Sequence, residues 1–133
     1  TSLFADLFGD ANAEYRASLG RYYEHGPPAD WEQRYISAYA SSHPLEDWAE
    51  TWSHYLLMHD ALETAHAHRL IDTPPSSSAL VERISQWQAV SVGLNEMNQS
   101  VGRDDAYPFV ISAQVHNKLA YVDAMISRLR TLQ

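Results

Sequence analysis

The stretch HPLEDWAETWSHYLLMHDALETA, from His43 to Ala65, decides how this chain folds. It reads as one long helix. Pro44 suits the first helical position, where its missing N–H costs nothing. His43 then stands at the N-cap, a weaker cap than Ser or Asp. Glu46 falls at the third helical position, where a carboxylate favours the positive end of the helix dipole. Leu45, Trp48, Ala49, Trp52, Tyr55, Leu56, His59 and Leu62 recur at spacings of three and four, a wide apolar face with two indoles in it. Glu46, Glu50 and His54, at i, i+4 and i+8, stack along another stripe, with Leu57 and Ala61 close to it. Between Glu46 and Arg69 there is no Lys or Arg. Glu46, Asp47, Glu50, Asp60 and Glu63 therefore have no basic partner within the helix. Apolar residues on both sides of unpaired acids predict a helix buried on two sides. Carboxylates so placed require a metal, a histidine or a cation nearby.

The rest of the chain is helical too. Ser2 to Phe8 is apolar at 3, 4, 7 and 8 and stops at Gly9. Asp10 is placed to cap a helix from about Ala11 to His25, with Tyr15, Leu19 and Tyr22 or Tyr23 on one face; Gly26-Pro27-Pro28 ends it. Asp30 caps Trp31 to about Tyr39, and Ala40 to Pro44 is a loop of small residues. IDTPPSSS, residues 71–78, is a clear break. Ser77 or Ser78 caps a helix from about Ala79 to Val101. Tyr107-Pro108 opens the last helix, about Phe109 to Leu132, with Lys118, Arg128 and Arg130 toward its C-terminal half, where the dipole favours them. The expected class is all-α: about five or six helices, bundle-like in the last three, one domain over residues 1–133 with its break at about 71–78.

Composition narrows the function. A chain of 133 residues has room for one core, and 45% apolar residues with four Trp and eight Tyr predict folding rather than disorder. A formal charge of −8 argues against nucleic acid and anionic membrane as partners. No apolar run approaches the roughly 20 residues of a membrane span. There is no Cys, hence no disulfide and no thiolate metal site, and a reducing cytoplasm fits.

EDWAETWSHYL, preceded by ISAYASSHP and followed by LETA, resembles the putative zinc-binding metallopeptidase family of bacteria, which are zincins of the gluzincin kind. VGRDDAYPFVISAQVHNKLAYV and LFADLFGD extend the resemblance over nearly the whole chain. The family's fingerprint is an HExxH helix whose two His bind zinc and whose Glu acts on the water; a Glu on a later helix completes the site. The later helix of several gluzincins carries Glu, two residues, Ala, Glu, here Glu46-Asp47-Trp48-Ala49-Glu50. By resemblance, Glu46 is the third zinc ligand and Glu50, one turn on, orients a ligand His. Tyr39 matches the spacing of a Tyr that stabilises the oxyanion in related zincins. His54 is adjacent on the stripe; its plain reading is an ion-pair partner for a Glu, its other reading a ligand.

No HExxH occurs in these 133 residues, and none of the seven His begins one. The family's usual cysteine-rich segment is missing as well. The chain therefore reads as a C-terminal portion whose partner is the HExxH-bearing segment, or as a degenerate relative. The resemblance implies zinc and a peptide or protein substrate for the intact protein. One carboxylate does not hold zinc tightly, so the chain by itself is expected to bind none and to lack peptidase activity. The face left for the missing segment is expected to be apolar and exposed, a route to a homodimer. Two other classes stay open. A helical interaction module would leave Glu46 and Glu50 exposed and unpaired. A binding protein that kept the zincin shell would show a cleft at Glu46 lined by Tyr39.

Overall fold

The computed structural model describes residues 2–132. Among them are six α-helices and no strand: α1 Leu3–Phe8, α2 Tyr15–His25, α3 Trp31–Arg34, α4 Pro44–Ala67, α5 Leu80–Ser100 and α6 Ala113–Thr131, with short 3-10 turns at Tyr39–Ser42 and Pro75–Ser77. The chain is all-α, as its periodicity predicts. It packs as two compact units. One comprises the residues up to Tyr55 and those from Val110 onward; the other is Leu56–Phe109.

Several boundaries differ from the sequence reading, each for a local reason. Asp10 does not cap α2. Its carboxylate accepts from the Asn12 N–H at 2.9 Å and makes a turn of its own. The cap of α2 is Glu14, whose carboxylate takes the N–H groups of Arg16 and Ala17. Helix α3 stops at Arg34, not near Tyr39, because Tyr35 is extended. Helix α5 is preceded by Ala79 with no side-chain cap; the Ser78 hydroxyl donates instead to the Pro74 carbonyl. Helix α6 starts at Ala113, four residues later than expected. Ser112 caps it by accepting from the Val115 N–H at 3.2 Å.

In the first unit α1 lies against α4 and α6 through rings. Phe4 and Phe8 stack at 4.9 Å, Trp48 meets both edge-on at 5.5 and 5.3 Å, and Tyr121 meets Trp48 at 5.7 Å. Gly9 ends α1 at φ 98°, and a Cβ there would stand 3.3 Å from the Pro44 ring, so the turn needs glycine twice over. Val115, Leu119 and Val122 give α6 a fully buried stripe. The Tyr55 hydroxyl donates to Asp123 at 2.5 Å, tying α4 to α6. Helix α2 buries none of its residues.

The buried stripe of α4 matches the apolar spacing only in part: Tyr55 and Leu62 are buried as expected. Leu45, Ala49 and Leu56 are exposed, and Trp48 and Trp52 only half-buried. The buried positions are Asp47, Thr51, His54, Tyr55, Met58, Leu62 and Ala65. Asp47 enters the core because Lys118 meets it: Nζ donates to Oδ2 at 2.7 Å and to the Arg34 carbonyl at 2.6 Å, and sits 4.5 Å from the centre of the Tyr35 ring. Thr51 enters because its hydroxyl donates to the Asp47 carbonyl at 2.7 Å. Lys118 is thus an early, buried residue of α6 and not a dipole partner at the C-terminal end.

In the second unit Met58, Leu62 and Ala65 of α4, Ile84 and Trp87 of α5, and Tyr107 are buried. Trp87 and Tyr107 meet edge-on at 4.8 Å. Asn95 grips the extended chain at Tyr107 by both its main-chain groups, accepting from the N–H at 2.9 Å and donating to the carbonyl at 2.8 Å. That grip keeps Tyr107-Pro108 out of a helix.

Candidate functional site

The entry to α4 is built by His43. Its Nδ1 accepts from the Leu45 N–H at 3.0 Å, so the imidazole is the N-cap. An accepting Nδ1 leaves Nε2 to carry the proton, and Nε2 donates to the Ala13 carbonyl at 2.8 Å. The ring is 2% exposed and meets Tyr15 edge-on at 5.0 Å. This one histidine starts α4 and fastens the approach to α2 beside it.

Helix α2 thereby brings Tyr15 over the first turn of α4, where the Tyr15 hydroxyl donates to Glu46 Oε1. That bond, more than any other cause, pushes the Tyr15 phenol well above its ordinary pKa. Tyr39, on the 3-10 turn, is half-buried; its phenol is raised first by burial, then by the negative charge of Glu46. Its ring meets Tyr22 at 5.8 Å. Glu50, one turn on from Glu46, accepts from the Ser37 hydroxyl at 2.9 Å. His54, a further turn on, is 8% exposed; burial lowers its pKa, while the charge of Glu50 pulls the other way.

The structure thus gathers Glu46, Tyr39 and Tyr15 at the start of α4, with Glu50, Ser37 and His54 following along the stripe. Glu46 and Glu50 are half-buried, and both are hydrogen-bonded. Neither has a Lys or Arg ion pair among the described residues. The neighbouring Asp47 has one, with Lys118, yet burial still raises its carboxyl to about 6, against the pull of the ammonium. Beside the site a cleft of about 470 Å³ opens among Tyr22, Pro27, Ser42, His43 and Pro44; Glu46 and Tyr39 are not part of its lining.

Residues 1–125 match a family described as putative zinc-binding metallo-peptidase. The chain belongs to that family. Among its curated relatives are uncharacterized proteins of Mycobacterium bovis and Mycobacterium tuberculosis, each 41% identical to it over 135 residues. The match covers 96% of this chain and 40% of either relative, so the chain spans well under half of the proteins it resembles. No solved structure matches it. No helix among the described residues is long and apolar enough to cross a membrane.

The family's name raises the question of what these residues offer a zinc ion. Glu46 suits one position: a half-buried carboxylate held by a neutral phenol and not by a cation. No three His, Cys, Asp or Glu come together as a metal group among the described residues. Glu46 is thus a single candidate donor, short of the three or four that a zinc site takes.

Tyr15 and Ser37 escape a sequence reading. Tyr15 is 31 positions from Glu46, and nothing in the spacing of α2 separates it from the other tyrosines nearby. Ser37 lies 13 positions before Glu50, inside the segment that carries the family resemblance, but a serine in a loop of small residues has no distinctive signal.

Proposed function

We propose that this chain is the C-terminal helical portion of a zinc metallopeptidase and that Glu46 is its contribution to the metal. The observation that carries the reading is the contrast along α4. Asp47 is matched by a buried lysine, while Glu46 and Glu50 are half-buried on neutral hydroxyls. Half-buried carboxylates without a cation are poised for one, and a divalent ion with imidazole ligands supplies it. In this reading zinc, when bound, supplies an activated water and polarises the scissile carbonyl. Glu50, fixed through Ser37, orients an imidazole ligand. Tyr39, whose raised pKa keeps its proton on, donates to the oxyanion. His54 backs Glu50, and its lowered pKa keeps it neutral. The two imidazoles and the base belong to an HExxH-bearing segment, the substrate is a peptide or protein, and this chain by itself is inactive. The cysteine-free composition suits the cytoplasm.

Zinc content of the full-length protein tests this. Wild type should carry about one zinc per chain, and Glu46→Gln should weaken zinc binding by at least about 10-fold, since the amide keeps the shape but loses the charge. A wild-type protein without zinc, or an E46Q protein that binds it as tightly, overturns the reading.

A further inference from the structure

We infer that Tyr15 is a positioning residue that holds the Glu46 carboxylate in the one orientation a metal can use. The inference rests on Glu46 being a zinc ligand. A glutamate at the start of a helix has several rotatable bonds and would ordinarily sample solvent. Here Oε1 is taken by the Tyr15 hydroxyl, and no other hydrogen bond to this carboxylate is present among the described residues. One oxygen is fixed and the other left available, the arrangement expected of a carboxylate ordered before its ligand arrives.

The phenol is itself held in place. The His43 ring touches Tyr15 at 5.0 Å and grips the Ala13 carbonyl at 2.8 Å, while the Glu14 carboxylate caps α2 through Arg16 and Ala17. The same His43 caps α4 through Leu45, next to Glu46. Donor and acceptor are therefore tied to one buried imidazole. Tyr22, two turns along the same face of α2, has no hydrogen bond to Glu46 among the described residues; its ring meets Tyr39 edge-on at 5.8 Å.

Zinc affinity in the full-length protein, measured by competition with a chelator, tests the inference on Tyr15→Phe, Tyr22→Phe and Glu46→Gln. Tyr15→Phe keeps the ring on His43 and removes only the hydroxyl. It should weaken zinc binding about 10- to 100-fold, the usual loss when a group that orients a metal ligand is removed. The melting temperature of its zinc-free form should stay at the wild-type value, a readout that a merely structural tyrosine would lower. Tyr22→Phe should bind zinc as wild type does. If Glu46→Gln weakens zinc but Tyr15→Phe binds within about twofold of wild type, or more tightly because the phenol competes with the metal, the positioning role is wrong while Glu46 stands. If Glu46→Gln changes nothing, Glu46 is not a ligand and the inference falls with it.

Discussion

Lys118→Met should destabilise the protein by about 3–5 kcal/mol at pH 8, the usual cost of stripping one partner from a buried ion pair. Asp47 is 0% exposed and the Lys118 side chain 5%. The methionine fills much of the same volume, so the loss is chiefly electrostatic. It leaves Asp47 Oδ2 and the Arg34 carbonyl without their donor, and the Tyr35 ring without its cation. Asp47 Oδ1 already has no hydrogen-bond partner among the described residues. Its recourse is to take up a proton, and the deficit of the variant should shrink toward pH 5. Urea unfolding at the two pH values measures both effects. A cost under about 1 kcal/mol at pH 8 would mean that the pair is not closed to water. Replacing both partners, Asp47→Leu with Lys118→Met, should recover most of the loss, because what is expensive is the unmatched charge and not the absence of the bridge.

The second large effect is a pH dependence in the wild type. Burial raises the Asp47 carboxyl from 3.8 to about 6, against the opposing pull of Lys118. Between those values the folded chain holds a proton that the unfolded chain has released. Stability therefore falls as pH rises through the window, and the full cost is present above about pH 6. A shift of about two units corresponds to about 3 kcal/mol. Other carboxylates titrate over the same range, so the quantity to follow is the stability difference between wild type and Asp47→Asn from pH 4 to pH 7. It should move against the wild type as pH rises. A flat difference would show that Asp47 ionises in the folded chain as it does in the unfolded one.

The same pair shows where the sequence was legible and where it was not. The helix from Pro44, its imidazole cap and the stripe of Glu46, Glu50 and His54 follow from spacing and from rules that act within a few residues. Which face of α4 is buried does not. Apolar spacing finds Tyr55 and Leu62, which are buried, but it also points to Leu45, Ala49 and Leu56, which are exposed, and it has no means of knowing that Asp47 and Thr51 are matched within the fold. Asp47 needs a lysine 71 positions away, and only the packing of α6 against α4 brings it. Tyr15 reaches Glu46 for a similar reason, through a buried histidine that serves two helices. The short-range errors at α2, α5 and α6 have another origin: Asp10, Ser78 and Tyr107 each use their polar groups locally, in turns or on Asn95, and so do not start a helix. The family resemblance survives all of this because it is carried by the residues themselves and not by which face of α4 is assigned to the core.

Helix α2 has none of its residues buried and is fastened at its first turn. Opening it exposes little apolar surface, so it can come away without global unfolding. The amides of Tyr15–His25 should therefore exchange with deuterium well before those of α6 around Val115, Leu119 and Val122. The carboxylate at Glu46 would then owe its orientation to a helix that buries none of its residues, and each excursion of α2 would free Glu46 to swing while the core stayed intact.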